Sequence, residues 1–210
     1  MFTYSLTATE GAARAGTFST PHGEVPTPSF MPVGTGGTVK GLIMEEVADL
    51  SARMVLANTY HLYLRPGQEL VQKLGGLHEF MRWDGPLLTD SGGYQVFSLA
   101  GIRRVHDDGV EFQSHIDGSK HQFTPESVME IQCTLGADVI MAFDECPPGG
   151  CDRETAEGAN RRTLAWLQRC RTRFERIGQE REVPEQALFP VLQGNVYDDL
   201  RREHAQQFME

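Results

Sequence analysis

The chain has 210 residues, of which 40% are hydrophobic and 23% charged, and its formal net charge is −10 at pH 7. That length and composition predict a globular domain and exclude a disordered protein. The acidic charge argues against a broad nucleic-acid surface, because phosphate contacts need Lys and Arg. No apolar run approaches the ~20 residues of a membrane span, and the stretch MFTYSLTATE lacks the basic and apolar segments of a secretory signal. We therefore expect a cytoplasmic protein with no membrane segment.

The cysteines predict reduced thiols, because a disulfide framework would be unusual in such a protein. They do not form a zinc site by themselves. Cys146 and Cys151 are five positions apart, and no CxxC or nearby histidine pair completes four ligands. We predict no metal ligands in this chain. The cysteines are Cys133, Cys146, Cys151 and Cys170.

The first part of the chain alternates apolar and polar residues, in FTYSLTA and then in GTFSTPHGEVPTPSF. Gly23 and the prolines mark turns, so this part predicts short antiparallel strands. Beyond it, a short apolar run that ends in polar residues recurs, and a helix-like segment follows. The runs are FMPVGT (30–35), MVLANT (54–59), PLLTDS (86–91), DVIMAFDE (138–145) and LFPVLQGN (188–195).

Strands that are apolar throughout and alternate with helices predict a parallel sheet covered on both faces. Thr124 suits the N-cap of one helix and Pro125 its first helical position. The helix-like segments are MEEVADLSARM, RPGQELVQKLG, TPESVMEIQCTLGA and a long one from Asp152 to about Gly178.

The segment RRVHDDGVEFQSHIDGSKHQFT interrupts this alternation after the third apolar run. Asp108-Gly109 and Asp117-Gly118 are turn signals flanked by alternating residues, which predicts an inserted antiparallel β-hairpin. Few metal-binding residues accompany its histidines, so we interpret them as surface residues. They are His106, His115 and His121.

The fold class is α/β, with about five βα units, whereas a closed (β/α)₈ TIM barrel has eight. We therefore expect residues 1–210 to form a single domain, either an incomplete TIM barrel or a doubly wound open sheet. Periodicity alone does not separate these two folds. Both place their sites at the carboxyl ends of the strands. The polar residues at those ends are Thr35, Asn58, Asp90, Asp144 and Gln193.

The motif TDSGG places Asp90 at such a strand end. Gly92 and Gly93 allow the backbone to approach a flat ligand closely, and Tyr94 offers a ring for stacking. The alternative is a structural turn in which Asp90 and Ser91 cap the next helix.

The motif MAFDECPP ends another strongly apolar run. A partly desolvated Asp144 suits acid–base chemistry or the binding of ligand N–H groups. Glu145 could instead be the structural partner of an arginine or a backbone amide. We interpret Cys146 as a small residue that lines a pocket, rather than as a nucleophile.

Two amide side chains are also found at the carboxyl ends of the predicted strands. Gln193 in VLQGN can donate and accept hydrogen bonds, which suits the edge of a purine. Asn58 lies in NTYHL, where His61 could be a base but is interpreted as structural. The sequence GTGGT lacks the Lys-Ser/Thr of a phosphate-binding loop.

Arginines concentrate between residues 161 and 176. We favour a solvated helix face with interleaved glutamates over a local basic patch. The six are Arg161, Arg162, Arg169, Arg171, Arg173 and Arg176.

Several long motifs resemble those of the tRNA-guanine transglycosylases, also called queuine tRNA-ribosyltransferases, through nearly the whole chain. The resemblance implies a (β/α)₈ barrel with an N-terminal antiparallel cap and a structural Zn²⁺ subdomain. It also implies tRNA and a 7-deazaguanine base as substrates, and a cytoplasmic homodimer. The motifs are FMPVGTGGTVKGL, LANTYHLYLRPG, LLTDSGGYQVFSL, HIDGSKHQFTPE, QCTLGADVIMAFDECPP and VLQGN.

By resemblance, the reaction exchanges guanine at the wobble position of the anticodon by double displacement through an aspartyl-ribose intermediate, in queuosine biosynthesis. Asp90 matches the proton acceptor and donor, and Asp144 the carboxylate that binds the N–H edge of the base. Gln193 matches the amide that reads the base carbonyl. Cys146 resembles the bacterial form, which takes 7-aminomethyl-7-deazaguanine. The matched pocket lining is Ser91, Gly92, Gly93 and Tyr94.

The family's nucleophilic aspartate and its Cys/Cys/Cys/His zinc ligands are expected beyond residue 210, together with the remaining barrel strands. We therefore expect these residues alone to be inactive. An alternative is a non-catalytic homologue that binds tRNA or an active partner. A nucleoside hydrolase without a metal is a third interpretation, which leaves the long motif match unexplained.

Overall fold

The computed structural model describes residues 1–99 and 103–209, which form an α/β structure of two compact units. The first unit comprises Met1–Asp90, Gln132–Ile140 and Val183–Ala187. The second comprises Ser91–Ile131, Met141–Glu182 and Leu188–Glu210.

Ten strands and eight helices are present in the described residues. The strands are β1 Thr3–Glu10, β2 Ala13–Thr20, β3 Gly23–Thr27, β4 Val55–Ala57, β5 Leu87–Thr89, β6 Arg103–His106, β7 Gly109–Gln113, β8 Lys120–Phe123, β9 Val139–Met141 and β10 Ala187–Phe189. The helices are α1 Met44–Asp49, α2 Thr59–Leu64, α3 Gln68–Lys73, α4 Leu77–Met81, α5 Gly93–Leu99, α6 Pro125–Leu135, α7 Arg153–Glu180 and α8 Asp198–Gln207.

The predicted N-terminal antiparallel strands are confirmed. Strands β1, β2 and β3 form a sheet in that order, with Tyr4 opposite Phe18 and Phe18 opposite Val25. Every residue of β1 is exposed, whereas Val25 of β3 is buried. The apolar contacts of this sheet are therefore concentrated in β2 and β3.

The predicted parallel strands form a four-stranded sheet in the order β10-β9-β5-β4. Val55 of β4 pairs with Leu87 of β5, and Leu88 pairs with Val139 of β9, both in parallel register. Val55, Leu87 and Val139 are fully buried. Burial of both faces explains why these strands are apolar throughout instead of alternating.

The prediction of a strand over residues 30–35 is wrong. In its place, Val33 makes an isolated parallel bridge to Leu56. Leu56 N–H donates to the Pro32 carbonyl at 3.0 Å, and Gly34 N–H donates to the Leu56 carbonyl at 2.7 Å. Pro32 has no N–H with which to extend this ladder, and Gly37 N–H turns back to the Gly34 carbonyl.

In the second unit, the predicted hairpin has a third strand, and β6, β7 and β8 form an antiparallel sheet. His106 pairs with Gly109, which leaves Asp107 and Asp108 as the turn residues. A Cβ at Gly109 would lie 2.2 Å from the Phe123 carbonyl oxygen, so the close approach of β8 requires glycine there.

Helix α7 closes the core of the second unit. Asp152 caps it by accepting a hydrogen bond from Thr155 N–H at 2.7 Å. Trp166 is fully buried and stacks on Phe143, with ring centroids 4.8 Å apart. Phe123 meets the Phe143 ring edge to face at 6.1 Å.

Five arginines of α7 lie in ion pairs, which agrees with a solvated helix face. Arg169 pairs with Glu126 at 2.7 Å, and Arg173 pairs with both Glu130 and Glu180. Charges engaged in this way are less available to phosphate groups. Arg162 and Arg171 also make ion pairs within this unit.

The predicted helix cap at the start of α6 is present. Thr124 Oγ1 accepts a hydrogen bond from Ser127 N–H at 3.1 Å, and Ser127 Oγ accepts one from Thr124 N–H at 2.8 Å. None of the four cysteines, all of which lie in the described residues, forms a disulfide bond. Among the described residues, no helix has the length and apolar character needed to cross a membrane.

Candidate functional site

The first group of candidate site residues surrounds Asp90, directly after β5. Asn58 follows β4, and its Nδ2 donates to Asp90 Oδ2 at 2.5 Å. Thr59 N–H donates to Asp90 Oδ1 at 2.9 Å. Because β4 and β5 are parallel neighbours, their carboxyl ends bring Asn58 and Asp90 together, as the sequence predicts.

Thr59 is a residue that the sequence pattern does not single out. Its Oγ1 donates to the Asp90 carbonyl oxygen at 2.5 Å, so it holds both the backbone and the carboxylate of Asp90. Thr59 is fully buried, and Asp90 is partly exposed. Asn58 and Thr59 therefore fix the orientation of a carboxylate that solvent still reaches.

The second group of candidate residues surrounds Asp144, in the second unit. Ser91 Oγ donates to Asp144 Oδ1 at 2.8 Å, and Gln193 Nε2 donates to Asp144 Oδ2 at 2.7 Å. Only 7% of Asp144 is exposed. An amide nitrogen carries two donor hydrogens, and the contact with Asp144 uses one of those of Gln193, so Gln193 Nε2 has a second donor to offer a ligand.

The two glycines are required by this geometry. Gly92 has φ +77°, in the left-handed region that favours glycine. A Cβ at Gly93 would lie 2.7 Å from the Asp144 carbonyl oxygen and 2.8 Å from its Oδ1. Gly93 N–H also donates to Ser91 Oγ at 3.1 Å, which ties the turn to the same serine that binds Asp144.

His204 of α8 is a second residue that the sequence pattern does not single out. Gln193 N–H donates to His204 Nδ1 at 3.0 Å. His204 is fully buried, and its burial lowers the pKa of the imidazole below its ordinary value. A neutral imidazole is the form that can accept at Nδ1, so His204 anchors the backbone of Gln193.

Tyr94 is 64% exposed at the start of α5. It immediately follows Gly93, the glycine that packs against Asp144. An exposed ring in this place is accessible to a planar ligand, and stacking on such a ligand stays a prediction.

Cys146 has the environment of a neutral thiol. Burial, and then the nearby charge of Asp144, raise its pKa above the ordinary value. A nucleophilic cysteine needs the opposite shift, which supports the interpretation that Cys146 lines a pocket. Glu145 forms an ion pair with Arg162, and its N–H donates to Thr163 Oγ1 at 3.1 Å. Glu145 is thus a structural partner of an arginine.

The Cys/Cys/Cys/His zinc ligands implied by the family resemblance are not assigned to any of the described residues. The group there whose side chains could hold a metal ion consists of His22, His78 and Asp138, and it contains no cysteine. Cys133 and Cys170 are buried apart from any such group, and burial raises the pKa of Cys170 to about 12.

The fold and these side chains define an α/β protein that carries carboxylates and amides beyond the carboxyl ends of parallel strands. The queuine tRNA-ribosyltransferase family profile matches residues 9–210. The chain belongs to this family.

Curated relatives agree with the family assignment. The queuine tRNA-ribosyltransferase of Desulforamulus reducens is 57% identical to this chain, and the match covers 94% of this chain and 51% of the relative. The protein of the same name from Pelotomaculum thermopropionicum is 54% identical, and the match covers 100% of this chain and 55% of the relative. The protein of that name from Gloeobacter violaceus is 54% identical, over 98% of this chain and 52% of its own length. The chain spans about half the length of the curated relatives it matches.

Proposed function

We propose that this protein is a tRNA-guanine transglycosylase, which replaces guanine at the wobble position of a tRNA anticodon with a 7-deazaguanine. The contact between Asp144 and Gln193 carries the proposal. A carboxylate acceptor and an amide donor 2.7 Å apart offer complementary partners to the N–H and C=O groups along one edge of guanine. Family membership and the names of the relatives support the same reaction class.

The proposed base pocket gives each side chain one task. Asp144 accepts from the N–H edge of the base, and Gln193 donates its second amide hydrogen to the base carbonyl. Ser91 and Gly93 hold Asp144 in position, and Tyr94 stacks on the ring. Cys146 lines the pocket and favours 7-aminomethyl-7-deazaguanine, by resemblance to the bacterial enzymes.

Asp90 is proposed to move the proton. When a family aspartate attacks the ribose anomeric carbon, the C–N bond to guanine breaks and its electron pair goes to the base, which takes a proton from Asp90 in its carboxylic acid form. Asp90 then accepts a proton from the incoming base as that base attacks the same carbon and displaces the aspartate. Asn58 and Thr59 fix the carboxylate for both transfers. By resemblance, the attacking aspartate is not among these 210 residues.

Three broader features belong to the same proposal. The parallel strands β4, β5, β9 and β10 are part of a (β/α)₈ barrel, the protein acts in the cytoplasm as a homodimer, and tRNA is the macromolecular substrate. The charge of −10 argues against a broad tRNA-binding surface on these residues.

The test measures the incorporation of labelled guanine into tRNA by the protein as its gene encodes it. We expect incorporation by the native protein and its loss in Asp90→Asn, which keeps the shape of the side chain but removes the carboxylate. Asp49→Asn on the exposed end of α1 is the matched control and should retain activity. If the folded native protein binds tRNA but incorporates no guanine, the non-catalytic alternative replaces this proposal.

A further inference from the structure

Three side chains from distant parts of the first unit converge at one point. His22 lies in the turn between β2 and β3, His78 in α4, and Asp138 immediately before β9. His22 Nδ1 is 2.7 Å from Asp138 Oδ1, and His78 Nε2 is 3.2 Å from Asp138 Oδ2. The two imidazole rings stack, with centroids 3.7 Å apart. One potential ligand atom from each residue lies within 4.8 Å of the others.

Asp138 is unusual for a carboxylate because its side chain has no exposed surface. Leu87 N–H donates to its Oδ2 at 2.8 Å. A carboxylate buried in this way requires a compensating cation or several donors, and His22, His78 and Leu87 surround its two oxygens.

We propose that His22, His78 and Asp138 bind a divalent transition-metal ion of the zinc class. Two imidazole nitrogens and one carboxylate oxygen form a donor set that suits zinc and disfavours calcium and magnesium, which prefer oxygen ligands. The site would join the β2–β3 turn, α4 and β9, and it is independent of the base-exchange function proposed above.

The distances are compatible with zinc after a small movement. Bonds of about 2.0–2.2 Å in a tetrahedron separate neighbouring ligand atoms by roughly 3.3 Å. The 3.2 Å distance from His78 Nε2 to Asp138 Oδ2 already meets this requirement, whereas the 2.7 Å distance from His22 Nδ1 to Asp138 Oδ1 must open by roughly 0.6 Å. Because the two histidines contact different oxygens, the carboxylate would bind the ion through both oxygens or rotate to present one. The Leu87 N–H would remain on Asp138 Oδ2 and orient the carboxylate.

His22 provides the route of entry. Its side chain is 38% exposed, compared with 15% for His78. His22 also lines an open groove of about 840 Å³, together with residues that include Trp83 and Asp84. Water from this groove can supply the fourth ligand. The alternative is a hydrogen-bonded His-Asp-His cluster that holds the same three segments without a metal.

The first test measures how much zinc the protein binds, and it uses the protein as its gene encodes it. After exposure to Zn²⁺ and removal of free metal, we expect His22→Gln and His78→Gln each to hold about one equivalent less zinc than the native protein, or to bind it at least ~10-fold more weakly. His121→Gln in β8 is the matched control and should keep the native content. The difference between variants isolates this site from zinc bound by cysteines elsewhere in the protein.

Cobalt spectroscopy provides a second test that needs no variant. Zinc is removed with a chelator and replaced by Co²⁺. A site made of two histidines and an aspartate gives the visible bands of tetrahedral Co²⁺ without the thiolate charge-transfer absorption of a cysteine site. The proposal is overturned if zinc content and affinity are the same in the native protein and in both folded variants. It is also overturned if all Co²⁺ bound carries thiolate absorption. In either case guanine incorporation can persist, so the two proposals fail separately.

Discussion

Gly93 lies so close to Asp144 that the space between them cannot hold a methyl group. An ideal Cβ at Gly93 would lie 2.7 Å from the Asp144 carbonyl oxygen and 2.8 Å from its Oδ1. The glycine therefore does more than permit a turn. It allows the backbone of α5 to pack directly against the carboxylate that we assign to base binding.

Gly93→Ala should destabilise the protein and displace Asp144, because the added methyl group meets backbone that cannot rotate away. The expected loss is about 1–3 kcal/mol of unfolding free energy, as for other overpacked sites. Chemical denaturation measures it. Gly178→Ala is the control, since a Cβ at that exposed position of α7 meets nothing within 4 Å. It should stabilise the helix by about 0.5–1 kcal/mol. Equal effects of the two substitutions would contradict the packing argument.

Thr59 should matter through its hydroxyl group. Thr59→Val preserves the shape of the side chain but removes the hydrogen bond that Thr59 Oγ1 donates to the Asp90 carbonyl oxygen. We expect a loss of about 0.5–1.5 kcal/mol in unfolding free energy. Thr59→Ser retains the hydroxyl and should lose less. If Val is tolerated as well as Ser in denaturation experiments, the hydroxyl does not support Asp90.

His204 should make stability depend on pH. Burial lowers the pKa of the folded imidazole below its ordinary 6.5. The unfolded chain therefore takes up a proton first as pH falls, so the stability is present above about 6.5 and is lost progressively below it. Denaturant midpoints between about pH 8 and pH 5 should fall less in His204→Gln than in the native protein. If the denaturant midpoints of the native protein and of His204→Gln change with pH in the same way, groups other than His204 cause the pH dependence.

The sequence predicts contacts between neighbouring strand ends better than it predicts strand lengths. Asn58 and Asp90 meet because each follows a strand of one parallel pair, and that pairing is implied by two adjacent apolar runs. Strands β4, β5 and β9 have only three residues each, because the ends of their runs leave the sheet and engage side chains instead. Over residues 30–35, Pro32 and the turn at Gly37 interrupt the ladder before a strand can form.

Other contacts leave no local signal in the sequence. His204 lies in a polar helix, and only the fold brings its Nδ1 to Gln193 N–H. His22 and Asp138 are 116 positions apart, and neither belongs to a short metal-binding motif. A search for clustered cysteines and histidines therefore misses this group. Its strongest hint is the single Asp138 at the beginning of an otherwise apolar run.

Cys146 should be dispensable for the exchange reaction. Its raised pKa favours the neutral thiol, which is a poor nucleophile. Cys146→Ser should therefore retain guanine incorporation and change mainly the preference among 7-substituted deazaguanines. Competition between guanine and 7-aminomethyl-7-deazaguanine during tRNA modification measures that preference. Complete loss of incorporation in a folded Cys146→Ser protein would restore the nucleophile interpretation.

Gln193 should determine base affinity without contributing much to tRNA affinity. Gln193→Glu replaces the donor that faces Asp144 Oδ2 with a second carboxylate, so it removes a ligand donor and adds like-charge repulsion. Guanine affinity should fall by about tenfold or more, which corresponds to roughly 1.4 kcal/mol. Asp144→Ala should have an effect in the same direction. Gln206→Glu on the exposed face of α8 adds the same charge and serves as the control.

Calorimetric titration with guanine and a separate tRNA-binding assay distinguish the two affinities. Because the Asp144 carboxylate is almost fully buried, its variants should weaken the binding of the small base far more than the binding of tRNA. The same split is expected for Gln193→Glu and not for Gln206→Glu. Equal losses of guanine and tRNA affinity would show that Asp144 and Gln193 support the fold of the second unit rather than recognise the base.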